Sequence, residues 1–278
     1  MQFGLTNAPF TFQALMNDIF KPYLRKFILV FFDDILIYSS SYDQHLVDLK
    51  TAFETLKWHT LFVKMSKCSF GKTQVEYFGH IITIHGVSID QKKVSSMTDW
   101  PQPKTVKKLR GFLGLTGYYR RFIKHYGVIS KPLTSLLKKD SFQWNDEAQA
   151  AFETLKEAMA AAPVLALPDF TKTFMVETNA SGEAIGAVVM QEGHPIAYLI
   201  KALAPKHQAL STYEKEFMAV VLAVENWRPY LLGRHFVIKT DHFSLKYLME
   251  QKITSSFQSK WLSKVMGYDY EICYRKGK

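Results

Sequence analysis

Two adjacent carboxylates, Asp33 and Asp34, sit between the apolar runs Phe27-Ile-Leu-Val-Phe-Phe32 and Ile35-Leu-Ile-Tyr38. Each run has the length of a buried strand and the acids fall where the chain must turn, so the segment reads as a β-hairpin with Asp33-Asp34 at its tip. Two ionised carboxylates repel by roughly 4 kcal/mol at about 4 Å for an effective dielectric of about 20. A turn needing only polarity would use Asn-Gly or Asp-Gly, which also supply the backbone angles. The pair makes chemical sense if a divalent cation lies between the side chains. Mg²⁺ fits best, because it takes carboxylate oxygens and leaves positions for substrate phosphates. A solvated acidic turn is the plainer reading, and the long β-branched and aromatic flanks favour the metal.

The composition agrees with a polyanionic substrate. The chain has 278 residues and a formal net charge of +10, enough length for about two domains with real cores. The positive charge is concentrated: between Gln91 and Lys139 there are twelve Lys and Arg residues against one acid, Asp99. Such a stretch attracts nucleic acid by counterion release and makes binding strongly salt-dependent. Its bases include Lys107, Arg110, Arg120 and Arg121, and Trp100, Phe112, Tyr118, Tyr119, Phe122 and Tyr126 are threaded among them. Part of this set is core, since Leu109, Phe112, Leu113 and Thr116 fit one helical face. Two cysteines, Cys68 and Cys273, make neither a disulfide framework nor a metal spacing, which points to reduced thiols in an intracellular protein. The longest apolar stretch is interrupted by the two aspartates, so no membrane span is expected.

The elements that must position these groups fall into three regions. Residues 1–85 hold a helix over about 10–20, the hairpin, a helix over about 42–58 with Leu46, Leu49, Phe53 and Leu56 on one face, and a β segment over 75–83. Residues 86–140 are basic and helical, broken at Trp100-Pro-Gln-Pro103 and restarted at Ser130-Lys-Pro132. Residues 141–278 change character: a helix over 145–161, strands over 174–178, 184–191 and 195–200, a long helix over 212–232, and a strand over 235–240. That order makes an α/β sheet whose functional edge lies at the C-terminal ends of strands. The fold class expected for the whole is α+β and α/β.

Several stretches together resemble the polymerase portion of gypsy-type LTR retrotransposon Pol polyproteins: Phe3-Gly-Leu-Thr-Asn-Ala-Pro9, Phe31-Phe-Asp-Asp34, Tyr77-Phe-Gly-His80, Leu109-Arg-Gly-Phe-Leu-Gly-Leu115 and Tyr118-Tyr-Arg-Arg-Phe122. Towards the C-terminus, Thr178-Asn-Ala-Ser181, Tyr213-Glu-Lys-Glu216 and Thr240-Asp-His242 are similar to landmarks of that family's RNase H domain. The resemblance implies a partial reverse transcriptase palm (1–85), a helical thumb or connection (86–140) and an RNase H-like mixed sheet with helices (141–278). It also implies RNA-directed DNA polymerase and RNase H activities by a two-metal mechanism, with two Mg²⁺ or Mn²⁺ ions per site.

By the same resemblance Asp33 and Asp34 are polymerase carboxylates, Phe3 and Gly4 face the incoming nucleotide and template, and Tyr77, Phe78, Gly79 and His80 grip the primer end. Read without it, Phe78 is a core residue and His80 a structural histidine. Glu216 and Asp241 match RNase H carboxylates, whereas Asn179 stands where the family has aspartate and brings an oxygen without charge. The implied partners are an RNA template, a DNA primer, RNA–DNA hybrid, dNTPs and the rest of the Pol polyprotein, in the cytoplasm, the nucleus or virus-like particles. The family's first palm aspartate would precede Met1 and its fourth RNase H carboxylate would follow Lys278. The expectation is therefore a truncated segment with impaired catalysis, the alternative being an inactive nucleic-acid-binding remnant.

Overall fold

The computed structural model describes residues 8–247 and 256–275; Phe3 and Gly4 lie outside them. The chain forms two compact units, residues 1–77 and 78–278.

In the first unit, helix α1 (Ala8–Ile19) precedes strands β1 (Ile28–Phe31) and β2 (Asp34–Ile37), which pair antiparallel. Helix α2 (Tyr42–Trp58) and strand β3 (Gln74–Tyr77) follow. Met16, Ile19, Phe20, Ile28, Ala52 and Leu56 make its core. The face expected of α2 is only partly covered: Leu56 is buried, but Leu46 and Phe53 are exposed. Asp48 takes the inward place instead, and its carboxylate accepts Ser39 Oγ at 2.5 Å and Gln44 Nε2 at 2.9 Å. Those bonds satisfy a buried acid and tie the end of β2 to the helix.

The second unit opens with strands β4 (His80–Thr83) and β5 (Gly86–Ile89), an antiparallel pair. The single strand expected over 75–83 is broken, because Phe78 and Gly79 take φ of 50° and 69° and turn the chain. Helices α3 (Gln91–Thr98) and α4 (Val106–Tyr118) flank the Trp100-Pro break, and α5 (Tyr126–Ile129), α6 (Lys131–Ser135) and α7 (Asp146–Ala160) complete the helical part. Leu109, Phe112 and Phe122 pack with Phe152, Leu155 and Met159 of α7 in one cluster. Residues on either side of 140 thus share this cluster. Past α7 the chain runs beside β5: Val87 and Leu165 exchange backbone hydrogen bonds of 2.7 and 2.8 Å. Gly86 (φ 131°) permits that approach, since a Cβ there would lie 2.1 Å from the Leu165 carbonyl oxygen. The next residue, Ala166, donates its amide to the Pro195 carbonyl at 2.8 Å.

Strands β6 (Phe174–Ala180), β7 (Ala184–Gln191) and β8 (His194–Ala202) form an antiparallel meander. After α8 (Pro205–Gln208), helix α9 (Thr212–Asn226) begins with a capping box between Ser211 and Glu214. The helix expected to reach 232 stops at Asn226. Trp227 caps it and α10 (Arg228–Leu231) restarts, because Pro229 lacks the amide that a continuous helix needs. Strand β9 (His235–Thr240), α11 (Ser256–Val265) and β10 (Asp269–Tyr274) complete a five-stranded sheet in the order β10-β9-β6-β7-β8, with β6, β9 and β10 parallel. Phe217, Val220, Val221 and Val224 of α9, with Trp227 just after it, pack on Phe174, Val176, Phe236 and Ile238 of the sheet. The fold is α+β in its hairpins and helices and α/β in this sheet. Among the described residues no helix is long and apolar enough to cross a membrane.

Candidate active sites

The β1–β2 register pairs Phe31 with Asp34, so the turn residues are Phe32 and Asp33, and Asp34 opens β2. The turn sits one residue earlier than Asp33-Asp34 because Phe32 takes the left-handed conformation, φ 51°. That choice costs a bulky residue roughly 1–2 kcal/mol, and Gln13 of α1 holds it. The Gln13 carboxamide oxygen accepts the Phe32 amide, while its nitrogen donates to the Val30 carbonyl at 3.3 Å and to Asn17 Oδ1 at 2.9 Å. Sequence reading did not single out Gln13. Its signal is faint: a polar side chain between Phe12, packed against the core, and the buried Met16.

Asp33 and Asp34 are both exposed at this tip, beside the edge-to-face rings of Phe31 and Phe32 at 4.6 Å. Tyr77 lies near enough to feel Asp34: burial first, and then the Asp34 charge, push its phenol up to about 12. Tyr77 therefore keeps its proton at physiological pH. In the second unit Phe78 is 38% exposed rather than core, and His80 is buried. The His80 ring stacks on Phe122 with centroids 5.6 Å apart, and its Nδ1 lies 2.8 Å from the Phe78 carbonyl oxygen. Lys107, Arg110, Arg120 and Arg121 are exposed, and none forms an ion pair among the described residues.

The structure brings Asn179, Glu216 and Asp241 to one end of the sheet. The parallel β6–β9 register ends at Glu177 and Lys239, and Asn179 and Asp241 each lie two residues further on. Glu216 reaches this end from α9, where its Oε1 accepts the Ala180 amide at 2.6 Å. The residue is 2% exposed, and Oε2 is buried without a hydrogen-bond partner. Burial pushes its carboxyl up to about 7; the Ala180 amide opposes the rise and the Asp241 charge adds to it. Asn179 and Asp241 also border an open cleft of about 620 Å³ on the sheet, with Lys124, His125, Lys239 and Arg275 around it. Arg275 is held by a two-pronged bond to Glu177 at 3.0 and 3.1 Å.

An orphaned buried carboxylate oxygen facing a second acid suits a hard cation. Among the described residues, however, no three His, Cys, Asp or Glu side chains converge as a metal set. Asn179 supplies an amide oxygen where a third carboxylate would complete the group. The pair Asp33 and Asp34 has the same oxygen chemistry and is likewise two acids.

Known proteins supply the context for these groups. Residues 1–82 match the family described as reverse transcriptase (RNA-dependent DNA polymerase), and residues 144–238 match the RNase H-like domain found in reverse transcriptase. The chain is 42% identical to the retrovirus-related Pol polyprotein from transposon 297 of Drosophila melanogaster over 100% of its own length and 26% of the relative's. It thus spans about a quarter of that relative. The foamy viral protease-reverse transcriptase solved with double-stranded DNA superposes with a TM-score of 0.87 at 24% identity, over 99% of this chain and 50% of that one. The foamy viral protease-reverse transcriptase solved with an RNA/DNA hybrid gives 0.84 at 24% identity, over 100% and 39%. These two likenesses show the fold.

Proposed function

The chain belongs to the reverse transcriptase/RNase H segment of gypsy-type LTR retrotransposon Pol polyproteins, and we propose that it holds the 3′ end of a DNA primer on an RNA template for nucleotide addition. One observation carries this reading: two exposed carboxylates at the tip of a hairpin that Gln13 clamps in a strained turn. Strain retained at such a tip is characteristic of sites that must be pre-organised. In this reading residues 1–85 are part of the palm, 86–140 the thumb or connection and 141–278 the RNase H-like domain, with the rest of the Pol polyprotein as partner.

Asp33 and Asp34 would hold Mg²⁺ or Mn²⁺ together with dNTP phosphates. Such ions, when bound, activate the primer hydroxyl and neutralise charge on the leaving pyrophosphate. The protein's own part is to present both carboxylates in a fixed direction. Phe31 and Phe32 keep an apolar wall beside them, and Tyr77 offers Asp34 a neutral phenol. Lys107, Arg110, Arg120 and Arg121 would take backbone phosphates, a sequence-independent grip.

The RNase H-like site is the weaker half. Asn179 brings no negative charge and burial pushes the Glu216 carboxyl up to about 7, so a divalent cation meets less charge there than in a site of ordinary carboxylates. We assign this end of the sheet to RNA–DNA hybrid binding with impaired RNA cleavage. The same substitution favours the second reading, a segment that binds nucleic acid without turnover. Primer extension with Mg²⁺ or Mn²⁺ separates the two: incorporation lost in Asp33→Asn supports the enzyme, and tight binding without incorporation supports the remnant.

A further inference from the structure

Tyr118 and Tyr119, at the end of α4, reach back to consecutive carbonyls of the turn before β4. The Tyr118 hydroxyl donates to the Phe78 carbonyl at 3.2 Å and the Tyr119 hydroxyl to the Gly79 carbonyl at 3.1 Å. The Gly79 carbonyl also accepts the Asp90 amide at 3.1 Å, which satisfies both of its lone pairs. Fit as well as bonding is specified here, since a Cβ on Gly79 would lie 2.5 Å from the Tyr119 hydroxyl oxygen. The His80 ring is held by the same pair, 5.5 Å from Tyr118 and 5.4 Å from Tyr119.

Core packing alone does not account for the two hydroxyls. Tyr119 is 2% exposed and phenylalanine would fill its place, whereas Tyr118 is 55% exposed and still turns its oxygen onto the backbone. Two donors on successive carbonyls fix the pitch of the intervening peptide, including a left-handed Phe78 that would otherwise relax. The pair is followed directly by Arg120 and Arg121, both exposed.

We propose that Tyr118 and Tyr119 are positioning residues that lock the Phe78–Gly79 backbone to the basic helix, so that the helix sets where the primer 3′ end is held. The inference rests on the reading of this turn as the primer-holding element. It adds that the phosphate-gripping segment and the primer-end turn move as one piece.

The test uses Tyr118→Phe and Tyr119→Phe, singly and together, in the full chain. Each keeps its ring and removes one oxygen. The probes are primer–templates carrying 2-aminopurine either at the primer 3′ terminus or well upstream in the duplex. The double variant is expected to bind both with unchanged affinity and to melt near the wild-type temperature. Each single variant should change the stacked-to-unstacked ratio of the terminal base by roughly two- to tenfold, the size of one lost net hydrogen bond, the double variant by more, and all should leave the upstream base alone. An unchanged terminal signal overturns the proposal, as does a loss of melting temperature with both probes altered together. If the wild-type chain perturbs the two probes alike, it does not hold a primer end at all, and the functional reading fails first.

Discussion

Gln13 accepts the Phe32 amide with one end of its carboxamide and donates to the Val30 carbonyl with the other, so a helix side chain ties β1 to the turn residue that follows it. Gln13→Leu removes this bridge while keeping the size of the side chain. Phe32 then has less to hold it at positive φ, and the carboxylates at positions 33 and 34 lose their fixed direction. Nucleotide incorporation should fall by roughly ten- to a hundredfold, the penalty for misplacing reacting groups by about an ångström, with primer–template affinity little changed. Single-turnover incorporation against equilibrium binding makes the comparison, and a full rate in the variant would rule the bridge out.

Glu216 predicts a pH dependence of stability in the absence of divalent cations. Its folded-state value of about 7 lies above the ordinary 4.5. Below the ordinary value both folded and unfolded chains keep the proton, and the group has no effect. As pH rises towards the folded value the unfolded chain releases its proton first, so stability is lost, by at most about 3 kcal/mol. Glu216→Gln should therefore melt higher than the wild type at pH 8 and lose that advantage near pH 4. A difference in melting temperature that does not vary with pH contradicts the assignment.

Asn179→Asp restores a charge at the end of β6, next to Asp241 and Glu216. Affinity for Mn²⁺ at this end of the sheet should rise by roughly tenfold, since a charged carboxylate oxygen is a better ligand for a hard cation than a neutral amide oxygen. Calorimetric titration with Mn²⁺, with Asp33→Asn in the background to silence the hairpin, reads it directly. Equal affinities would mean the three side chains do not share an ion.

In the proposed reading the four exposed bases would act by charge rather than by base recognition. Replacing Lys107, Arg110, Arg120 or Arg121 with Ala should weaken binding to any primer–template sequence equally and lower the salt slope by about one per residue. Anisotropy titrations across a salt series measure it. A sequence-dependent loss would transfer that residue from backbone grip to base contact.

Much of this was legible in the chain because local patterns and long-range packing agree. The α9 face Phe217, Val220, Val221, Val224 and Trp227 is buried as its spacing implies, and Ser211 with Glu214 marks its start. Asp33 and Asp34 announce the hairpin, but the one-residue shift of the turn depends on a hydrogen bond from α1, which no local pattern carries. The same holds at Phe78–Gly79, where a continuous β-like run is bent by two hydroxyls from α4. Strand β10 carries little sequence signal, because its alternation, Asp269-Tyr-Glu-Ile-Cys-Tyr274, is short and half-exposed. Sequence order groups helix α7 with the sheet, yet Phe152 and Leu155 pack with Phe112 and its neighbours, a partnership that only the tertiary fold decides.

The contact of Leu165 with Val87, followed at once by that of Ala166 with Pro195, works as a mechanical linkage with almost no slack. Two neighbouring peptide units, about 7 Å of chain, tie β5 to β8, an edge strand of the sheet. Displacement of one is therefore handed to the other without a flexible spacer to absorb it.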